Sequence, residues 1–278
     1  MSLYELSDVT YSYPGQINAL QDVSFTVESG EKLAILGANG SGKSTLLKLM
    51  AGLIFPSAGT IAWSSQLLTK KTLVTSKKNT FMQNFRQKIG ILFQNADVQL
   101  FCPTVFDEIA FGPMQLNMPK IEVENRVIEV MEMLGITHLR NRTPYALSGG
   151  EKKRVAIASI LPVNPDVLLL DEPTAALDPR TQSWLEEFLH SMAKAGKTII
   201  LATHDLDIAD AICDRVIVFG EDHRIAATGT THDILENRDL LLQVNLVHEH
   251  YHHHGESWHK HGEAWHEHSH IPDKDSHD

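Results

Sequence analysis

The chain carries a segment whose residue types and spacing suit phosphate binding. Residues 37–45 read Gly-Ala-Asn-Gly-Ser-Gly-Lys-Ser-Thr and lie between the apolar run 33–36 and a predicted helix from Lys43 to about Ala51. Glycines let the backbone fold so that successive N–H groups point at phosphate oxygens, and a helix N-terminus adds partial positive charge. We expect Lys43 to contact the β- and γ-phosphates of a nucleotide and the Ser44 hydroxyl to bind Mg²⁺. The predicted nucleotide-binding residues of this loop are Gly37, Asn39, Gly40, Ser41, Gly42, Lys43, Ser44 and Thr45.

An acidic pair follows a second apolar run. Asp171 and Glu172 come directly after Val167–Leu170, and Pro173 follows them. The aspartate can hold Mg²⁺, directly or through water, and the glutamate can accept a proton from an attacking water. Such a pair by itself is more often a solvated turn. After a phosphate-binding loop, the pattern favours nucleotide hydrolysis.

A Ser-Gly-Gly turn lies between these two motifs. Ser148, Gly149, Gly150 and Glu151 open a helix predicted to reach about Leu161, and the N-terminus of that helix is a second anion site. This order of motifs resembles the ATP-binding cassette (ABC) family over residues 3 to about 245. In that family the turn meets the γ-phosphate of an ATP held by another cassette, so the resemblance implies two cassettes clasping two ATP molecules. Glu151 stands where glutamine is commoner in the family.

The resemblance gives roles to further single residues. Gln94 resembles the glutamine that senses Mg²⁺ and water and links the site to a membrane partner, and His204 resembles the switch histidine that contacts the γ-phosphate. Asp178 resembles the residue of a loop that contacts the second cassette, and Tyr13 the aromatic residue that stacks on adenine. The implied catalytic set is Lys43, Gln94, Glu172 and His204, with Ser44, Gln94 and Asp171 at Mg²⁺.

Residues 93–113 resemble a narrower group. Residues 93–101 read Phe-Gln-Asn-Ala-Asp-Val-Gln-Leu-Phe, followed by Pro-Thr-Val at 103–105 and Ala-Phe-Gly-Pro at 110–113. This region looks like the ATPase subunits of energy-coupling-factor importers, in particular the cobalt and nickel branch, where it lines a groove for helices of a transmembrane partner. Asp107 and Glu108 could meet basic residues there. They could equally be a solvated helix start.

The hydrophobic pattern predicts the elements that position these motifs. Strands are expected at 9–13, 23–27, 33–36, 60–63 and 89–93, and the stretch between the last two is polar and lysine-rich, which predicts a surface loop. Residues 95–162 carry helical patterns, and strand–helix alternation resumes with Val167–Leu170, a helix at 181–194 and a strand at 198–201. The predicted fold class is therefore α/β: a P-loop, ABC-type nucleotide-binding domain over 3–247, with a mostly parallel sheet, an antiparallel β subdomain and a helical subdomain at about 95–162.

Composition excludes several other classes. The apolar runs are too short to span a bilayer, and the first residues lack the pattern of a secretory signal. Cys102 and Cys213 make no disulfide framework, which fits a reducing cytosol. The formal net charge of -11 argues against a nucleic-acid partner. With the family resemblance, this predicts a peripheral protein at the cytoplasmic face of the cell membrane.

The segment 248–278 differs from the rest in composition. It holds eleven of the sixteen histidines and a tandem repeat, 255–261 followed by 262–268, in which Gly, Glu, Trp and both histidines recur. His-rich tracts bind metals such as Ni, Co and Zn. The candidate ligands are His259, His261, His266 and His268. The alternative is a disordered, solubilising tail, and the affinity order of the metals leaves the ion open.

Three functions fit these residues. The first is the ATP-hydrolysing subunit of an importer of cobalt or nickel ions. The second keeps the cassette and changes the cargo to a vitamin or another ion. The third is a metal-binding or storage protein with a vestigial cassette, against which the intact motifs speak. The implied partners are a second copy of the chain or another cassette ATPase, a transmembrane coupling subunit and a metal-specific membrane subunit.

Overall fold

The computed structural model describes residues 2–15, 17–74 and 80–247, together with the backbone of 251–254 and 257–260. The strands of the first unit are β1 (Ser2–Tyr13), β2 (Ile17–Glu28), β3 (Lys32–Leu36), β4 (Ala58–Trp63), β5 (Gln66–Leu67), β6 (Ile89–Leu92), β7 (Val167–Asp171), β8 (Thr198–Thr203), β9 (Arg215–Phe219) and β10 (Ile225–Thr230). Its helices are α1 (Lys43–Met50), α2 (Lys70–Val74), α3 (Thr80–Lys88), α4 (Val105–Gln115), α5 (Lys120–Met133), α6 (Gly149–Ile160), α7 (Pro179–Lys194), α8 (Leu206–Ile212), α9 (Thr231–Glu236) and α10 (Arg238–Gln243).

A six-stranded sheet forms the centre of this unit. Its strand order is β10-β9-β3-β8-β7-β6, and all neighbours are parallel except β10 with β9. The apolar runs of β3, β7 and β8 are buried on both faces, as expected for parallel strands covered by helices. A separate antiparallel sheet has the order β2-β1-β4-β5. The predicted α/β fold class is confirmed.

Alternate residues of the central strands supply two cores. Ala34 and Leu36 of β3 pack with the apolar faces of α4 to α8, whereas Leu33 and Ile35 pack with α1, α3 and the antiparallel sheet. This division follows from the two-residue period of a strand. The same strand thus joins both halves of the unit and carries the phosphate-binding loop at its end.

The helical region lies between β6 and β7. Residues 93–166 contain α4, α5 and α6 and three short 3₁₀ turns at Ala96–Val98, Thr137–Leu139 and Pro144–Ala146. Thr104 caps α4 by accepting the N–H of Asp107, and Gly135 follows α5 in the left-handed conformation. α6 packs against α4 and ends beside β6, so it links the helical region to the sheet.

The stretch 64–88 corrects the sequence analysis, which predicted a surface loop there. Residues 66–67 form β5, and residues 70–74 and 80–88 form α2 and α3. Phe85 is 1% exposed, with its ring centroid 5.3 Å from that of Trp63, and Leu73 is also buried. Phe81 and Phe85 are one helical turn apart and both contact Trp63, which explains the helix in spite of its polar neighbours.

Residues 247–278 form a second unit. In its described backbone, Tyr251–His254 (β11) pairs antiparallel with Ser257–Lys260 (β12), and the register pairs position 252 with position 259. The predicted disorder of this segment stays a prediction. Among the residues that the structure describes, none of the helices has the length and apolar content to cross a bilayer.

The correction at 64–88 predicts the effect of Phe85→Ala. Because this ring is fully buried against Trp63, the substitution should lower the free energy of unfolding by about 3–5 kcal/mol. Urea unfolding measures the change. Met114→Ala on α4, where the side chain is 61% exposed, is the control and should change stability by less than about 1 kcal/mol. Equal effects of the two substitutions would contradict the packing of α3.

Candidate active site

A cavity of about 500 Å³ lies at the carboxyl end of β3, where open parallel sheets bind ligands. It is lined by Tyr13, Asn18, Ala19, Asn39, Gly40, Gly42, Lys43, Ser44, Thr45, Gln94, Glu172 and His223. Eight of the predicted ATP-site residues therefore line one cavity, together with Glu172. Gly37 and Ser41 lie in the same loop but not on the cavity wall, and Asp171 reaches the site through Ser44. Tyr13 is near α1, since its hydroxyl is 3.2 Å from Thr45 Oγ1.

The phosphate-binding loop runs from β3 into α1. Gly42 has φ 109°, and a Cβ at this position would lie 2.2 Å from the carbonyl oxygen of Ala19. Only glycine fits both the conformation and the space. Lys43 Nζ donates to the carbonyl of Gly37 at 2.7 Å and to that of Ala38 at 3.2 Å, so the ammonium group is held inside the loop.

Ser44 and Asp171 meet across the first turn of α1. Ser44 Oγ donates to Asp171 Oδ1 at 2.8 Å. Burial raises the pKa of Asp171, and the hydrogen bond from Ser44 opposes that shift. Gln94 lines the same cavity as Ser44 and carries an amide oxygen, so these residues offer a hydroxyl, a carboxylate and an amide, the hard oxygen ligands that suit Mg²⁺. These residues fit the ion. Among the described residues, no cluster of three or more His, Cys, Asp or Glu could hold a metal.

Glu172 is a buried carboxylate held from three sides. Its Oε1 lies 3.0 Å from His204 Nδ1 and 3.3 Å from Lys43 Nζ, and its Oε2 accepts from Thr203 Oγ1 at 3.1 Å. The residue has φ 42°, a conformation that L-residues rarely adopt and that is concentrated at functional sites. β7 and β8 are neighbours, so residues just beyond their ends meet here. The structure thus brings the predicted Lys43, Glu172 and His204 together, and Gln94 lines the same cavity.

The Ser-Gly-Gly turn forms the N-terminus of α6 and lies outside the lining of this cavity. Ser148 Oγ accepts the N–H of Glu151, and Glu151 Oε2 accepts from both the N–H and the Oγ of Ser148, each at 2.8 Å. These hydrogen bonds lower the pKa of Glu151. The glutamate that departs from the usual family pattern is therefore the second half of a capping box.

Asp178 caps the next helix in the same way. Its carboxylate accepts from Thr181 N at 3.0 Å and Thr181 Oγ1 at 2.7 Å, and these bonds lower its pKa. Gly150 faces this cap, because a Cβ there would lie 3.1 Å from Thr181 Oγ1. The two helix N-termini, of α6 and α7, are thus adjacent in one chain.

Lys153 is a site residue that sequence reasoning missed. It is 3% exposed and its Nζ donates to the carbonyl of Gln94 at 3.1 Å. Burial lowers the pKa of Lys153 to about 8, while Asp171 and Glu172 act in the opposite direction. Helical spacing gave a signal, since position 153 shares a face with the buried Ile157. The missed Asn18, Ala19 and His223 had no such signal.

Asp107 and Glu108, the two acidic residues at the start of α4, lie in different surroundings. Glu108 is 3% exposed, and its Oε2 accepts the backbone N–H groups of Phe101 at 2.8 Å and Cys102 at 2.6 Å. Both expectations for Glu108, contact with a partner's basic residue and a solvated helix start, are wrong, because its buried carboxylate accepts hydrogen bonds from loop amides. Asp107 remains exposed at the start of α4, beside Thr104.

A phosphate-binding loop facing a buried carboxylate, with hard oxygen ligands beside them, defines the site of a P-loop nucleoside triphosphatase. Comparison with known proteins narrows this class. The family model described as "ABC transporter" matches residues 20–175. The chain belongs to the ATP-binding proteins of ABC transporters, which are ATPases.

Three similar proteins have more specific names. The "Nickel import ATP-binding protein NikO" of Rhodobacter capsulatus is 45% identical over 88% of this chain and 93% of its own length. The "Energy-coupling factor transporter ATP-binding protein EcfA" of Methanothermobacter thermautotrophicus is 41% identical over 88% of this chain and 76% of its own. The structure of cbiO1 from Clostridium perfringens, titled as part of the ABC transporter complex cbiONQ, aligns with a TM-score of 0.72 at 37% identity over 88% of this chain and 95% of its own.

The capping box predicts a pH-dependent effect of Glu151→Gln. Because the folded pKa of Glu151 is lowered, its charge stabilises the folded protein above the ordinary glutamate pKa, and this stabilisation is lost as pH falls through the lowered value. At pH 7 the substitution should lower the free energy of unfolding by about 0.5 kcal/mol. Urea unfolding from pH 7 to pH 2.5 measures whether the two proteins converge. Glu187→Gln, at an exposed site on α7, should show no such convergence.

Proposed function

We propose that this chain is the ATP-hydrolysing subunit of an energy-coupling-factor importer for cobalt or nickel ions. The main support for ATP hydrolysis is the position of Glu172, which lines the cavity and is buried between Lys43 and His204. The cargo rests on similarity: the resemblance of residues 93–113 to the cobalt and nickel branch, and the names of the NikO and CbiO relatives.

The reaction follows from the geometry of the cavity. ATP would place its adenine near Tyr13 and its β- and γ-phosphates on the loop N–H groups and Lys43. A water attacks the γ-phosphorus in line, its proton passes to the Glu172 carboxylate, and the bond to the β–γ bridging oxygen breaks. Thr203 and His204 hold the carboxylate while it acts as base. Mg²⁺, held by Ser44, Gln94 and Asp171, would neutralise phosphate charge.

The working unit in this proposal is a pair of cassettes. Ser148, Gly149 and Gly150 present a helix N-terminus that lies outside the lining of their own nucleotide cavity. This supports a role toward the γ-phosphate of a second cassette, with Asp178 beside them at the same surface. The second cassette is another copy of this chain or a related ATPase.

The membrane partner would bind a groove of the helical region. This helical groove, of about 740 Å³, is lined by Phe106, Asp107, Ala110, Met114, Asn117, Met118, Lys120, Val123, Glu124 and Arg140. Phe101 and Phe111 are exposed on the same region, with their ring centroids 4.9 Å apart. An apolar groove with charged edges suits a short amphipathic helix of a transmembrane coupling subunit. A metal-specific membrane subunit completes the complex, and the chain is then peripheral at the cytoplasmic face.

The proposal predicts the behaviour of Glu172→Gln in the assembled transporter. Losing the base should reduce ATP hydrolysis by at least about a hundredfold, while ATP binding is retained because the loop is unchanged. Phosphate release and ATP binding measure the two effects. In cells, uptake of ⁵⁷Co²⁺ and ⁶³Ni²⁺ should fall to the level without the gene.

The control is Glu132→Gln at an exposed position of α5, which should leave hydrolysis and uptake unchanged. Near-normal hydrolysis by Glu172→Gln would refute the assignment of the base. Active ATPase without uptake of either ion would favour an importer of another ion or a vitamin. A wild-type protein that binds metal without hydrolysing ATP would instead indicate a storage protein with a vestigial cassette.

The His-rich segment would be an accessory metal-binding element. The described backbone places two histidine positions, 252 and 259, opposite each other in the register of β11 and β12. Together with the recurring His-x-His pairs of the sequence, this supports binding of Ni²⁺, Co²⁺ or Zn²⁺ by the segment. Of the predicted ligands, His259 is in the described backbone, whereas His261, His266 and His268 lie outside the described residues.

Truncation after Val247 tests this element. The shortened protein should keep its ATPase activity, because the active site lies in the first unit, and should lose tail-dependent binding of Ni²⁺. Isothermal titration with NiCl₂ and a phosphate-release assay measure the two properties. A full-length protein with Ser257→Ala keeps every histidine and is the matched control. Unchanged Ni²⁺ binding after truncation would exclude the segment as a metal site.

A further inference from the structure

His223 is the histidine of the nucleotide cavity that the catalytic scheme does not use. It lies in the turn between β9 and β10 and lines the cavity with Asn18 and Ala19 of β2. The side chain is half-buried. The β9–β10 turn therefore lines the cavity in addition to the phosphate-binding loop and Glu172.

The backbone of His223 is strained. Its φ is 63°, in the left-handed region that favours glycine over residues with a side chain. The turn is held in place, since His223 O accepts the N–H of Gln21 at 3.0 Å and Arg224 forms a 2.7 Å ion pair with Asp22. Both contacts fix the turn to β2. A histidine kept in this conformation at a ligand cavity points to a use for its side chain.

The hydrogen-bond chemistry of the ring limits what it can bind. Nδ1 lies 3.4 Å from the carbonyl oxygen of Ser41, and a hydrogen bond between these two atoms requires the tautomer in which Nδ1 carries the proton. Nε2 of the neutral ring then has a lone pair and accepts a hydrogen bond. Within the described part of the chain, the contact with Ser41 is the side-chain hydrogen bond that the structure gives this residue. A nucleotide phosphate is itself an acceptor, whereas the ribose hydroxyls are donors.

We propose that His223 is a ribose-binding residue, with Nε2 accepting a hydrogen bond from the 2′- or 3′-hydroxyl of the bound nucleotide. The inference rests on the ATP site proposed above and goes further, because it assigns a sugar contact to the β9–β10 turn. Tyr13, near which the adenine would lie, and Lys43, which would contact the phosphates, line the same cavity as His223. The contact makes the site selective for ribonucleotides.

A cycle of one substitution and two ligand analogues tests the contact. Equilibrium binding of ATP, 2′-deoxyATP and 3′-deoxyATP is measured for the wild-type protein and for His223→Gly, a substitution that relieves the positive φ and so preserves folding. The wild type should bind one of the two analogues about three- to tenfold more weakly than ATP, the worth of one hydrogen bond. His223→Gly should bind ATP more weakly by a similar factor and should not distinguish ATP from that analogue.

Two further variants sharpen the result. His223→Asn also tolerates the left-handed conformation and tests whether a shorter polar side chain suffices. His232→Ala, at an exposed position of α9, is the control and should keep the wild-type preference. The proposal would be overturned if His223→Gly showed the same ratio of ATP affinity to analogue affinity as the wild type, for both analogues. That result would leave the ATP site intact. Failure of the wild type to bind ATP at all would refute the nucleotide site itself.

Discussion

Burial of the Glu172 carboxylate is the constraint on which the arrangement of this site depends. A charge that is 3% exposed is costly unless it is paired and hydrogen-bonded. Its partners come from two segments: Lys43 follows β3, and Thr203 and His204 lie at and just beyond the end of β8. They can meet because β3, β8 and β7 are adjacent and parallel, so their carboxyl ends share one edge. The strand order of the sheet is thus tied to the chemistry at its edge.

The same edge is connected mechanically to the helical region. Lys153 of α6 donates to the carbonyl of Gln94, and Arg154, the next residue, lies 4.5 Å from the ring of Trp184 on α7. The helix that opens with the Ser-Gly-Gly turn therefore contacts both the Gln94 segment and the helix capped by Asp178. A shift of α6 would therefore displace both the Gln94 segment and α7, because closely packed contacts resist independent movement.

Local patterns were enough to predict the main chemical groups. The phosphate-binding loop and the acidic pair are continuous strings of residues. The role of His204 came from the family resemblance, and its meeting with Lys43 and Glu172 depends on the strand order of the sheet. Buried charged residues were less predictable. Lys153 and Glu108 are charged, which normally indicates exposure, yet Lys153 donates to the carbonyl of the distant Gln94, and Glu108 accepts from loop amides seven and six residues before it. The helix α3 was missed because its two phenylalanines stand among polar residues, and their partner Trp63 is distant in sequence.

The capping box at Ser148 has a consequence for how two cassettes would meet. The hydroxyl of Ser148 already donates to a carboxylate at 2.8 Å. If that hydroxyl turned to a phosphate oxygen across an interface, it would replace one anionic acceptor with another, so the net gain would be small. The Glu151 carboxylate, still bonded to the N–H of Ser148, would also repel the incoming phosphate. In the proposed pair of cassettes, Glu151 would then compete with the phosphate for the hydroxyl of Ser148.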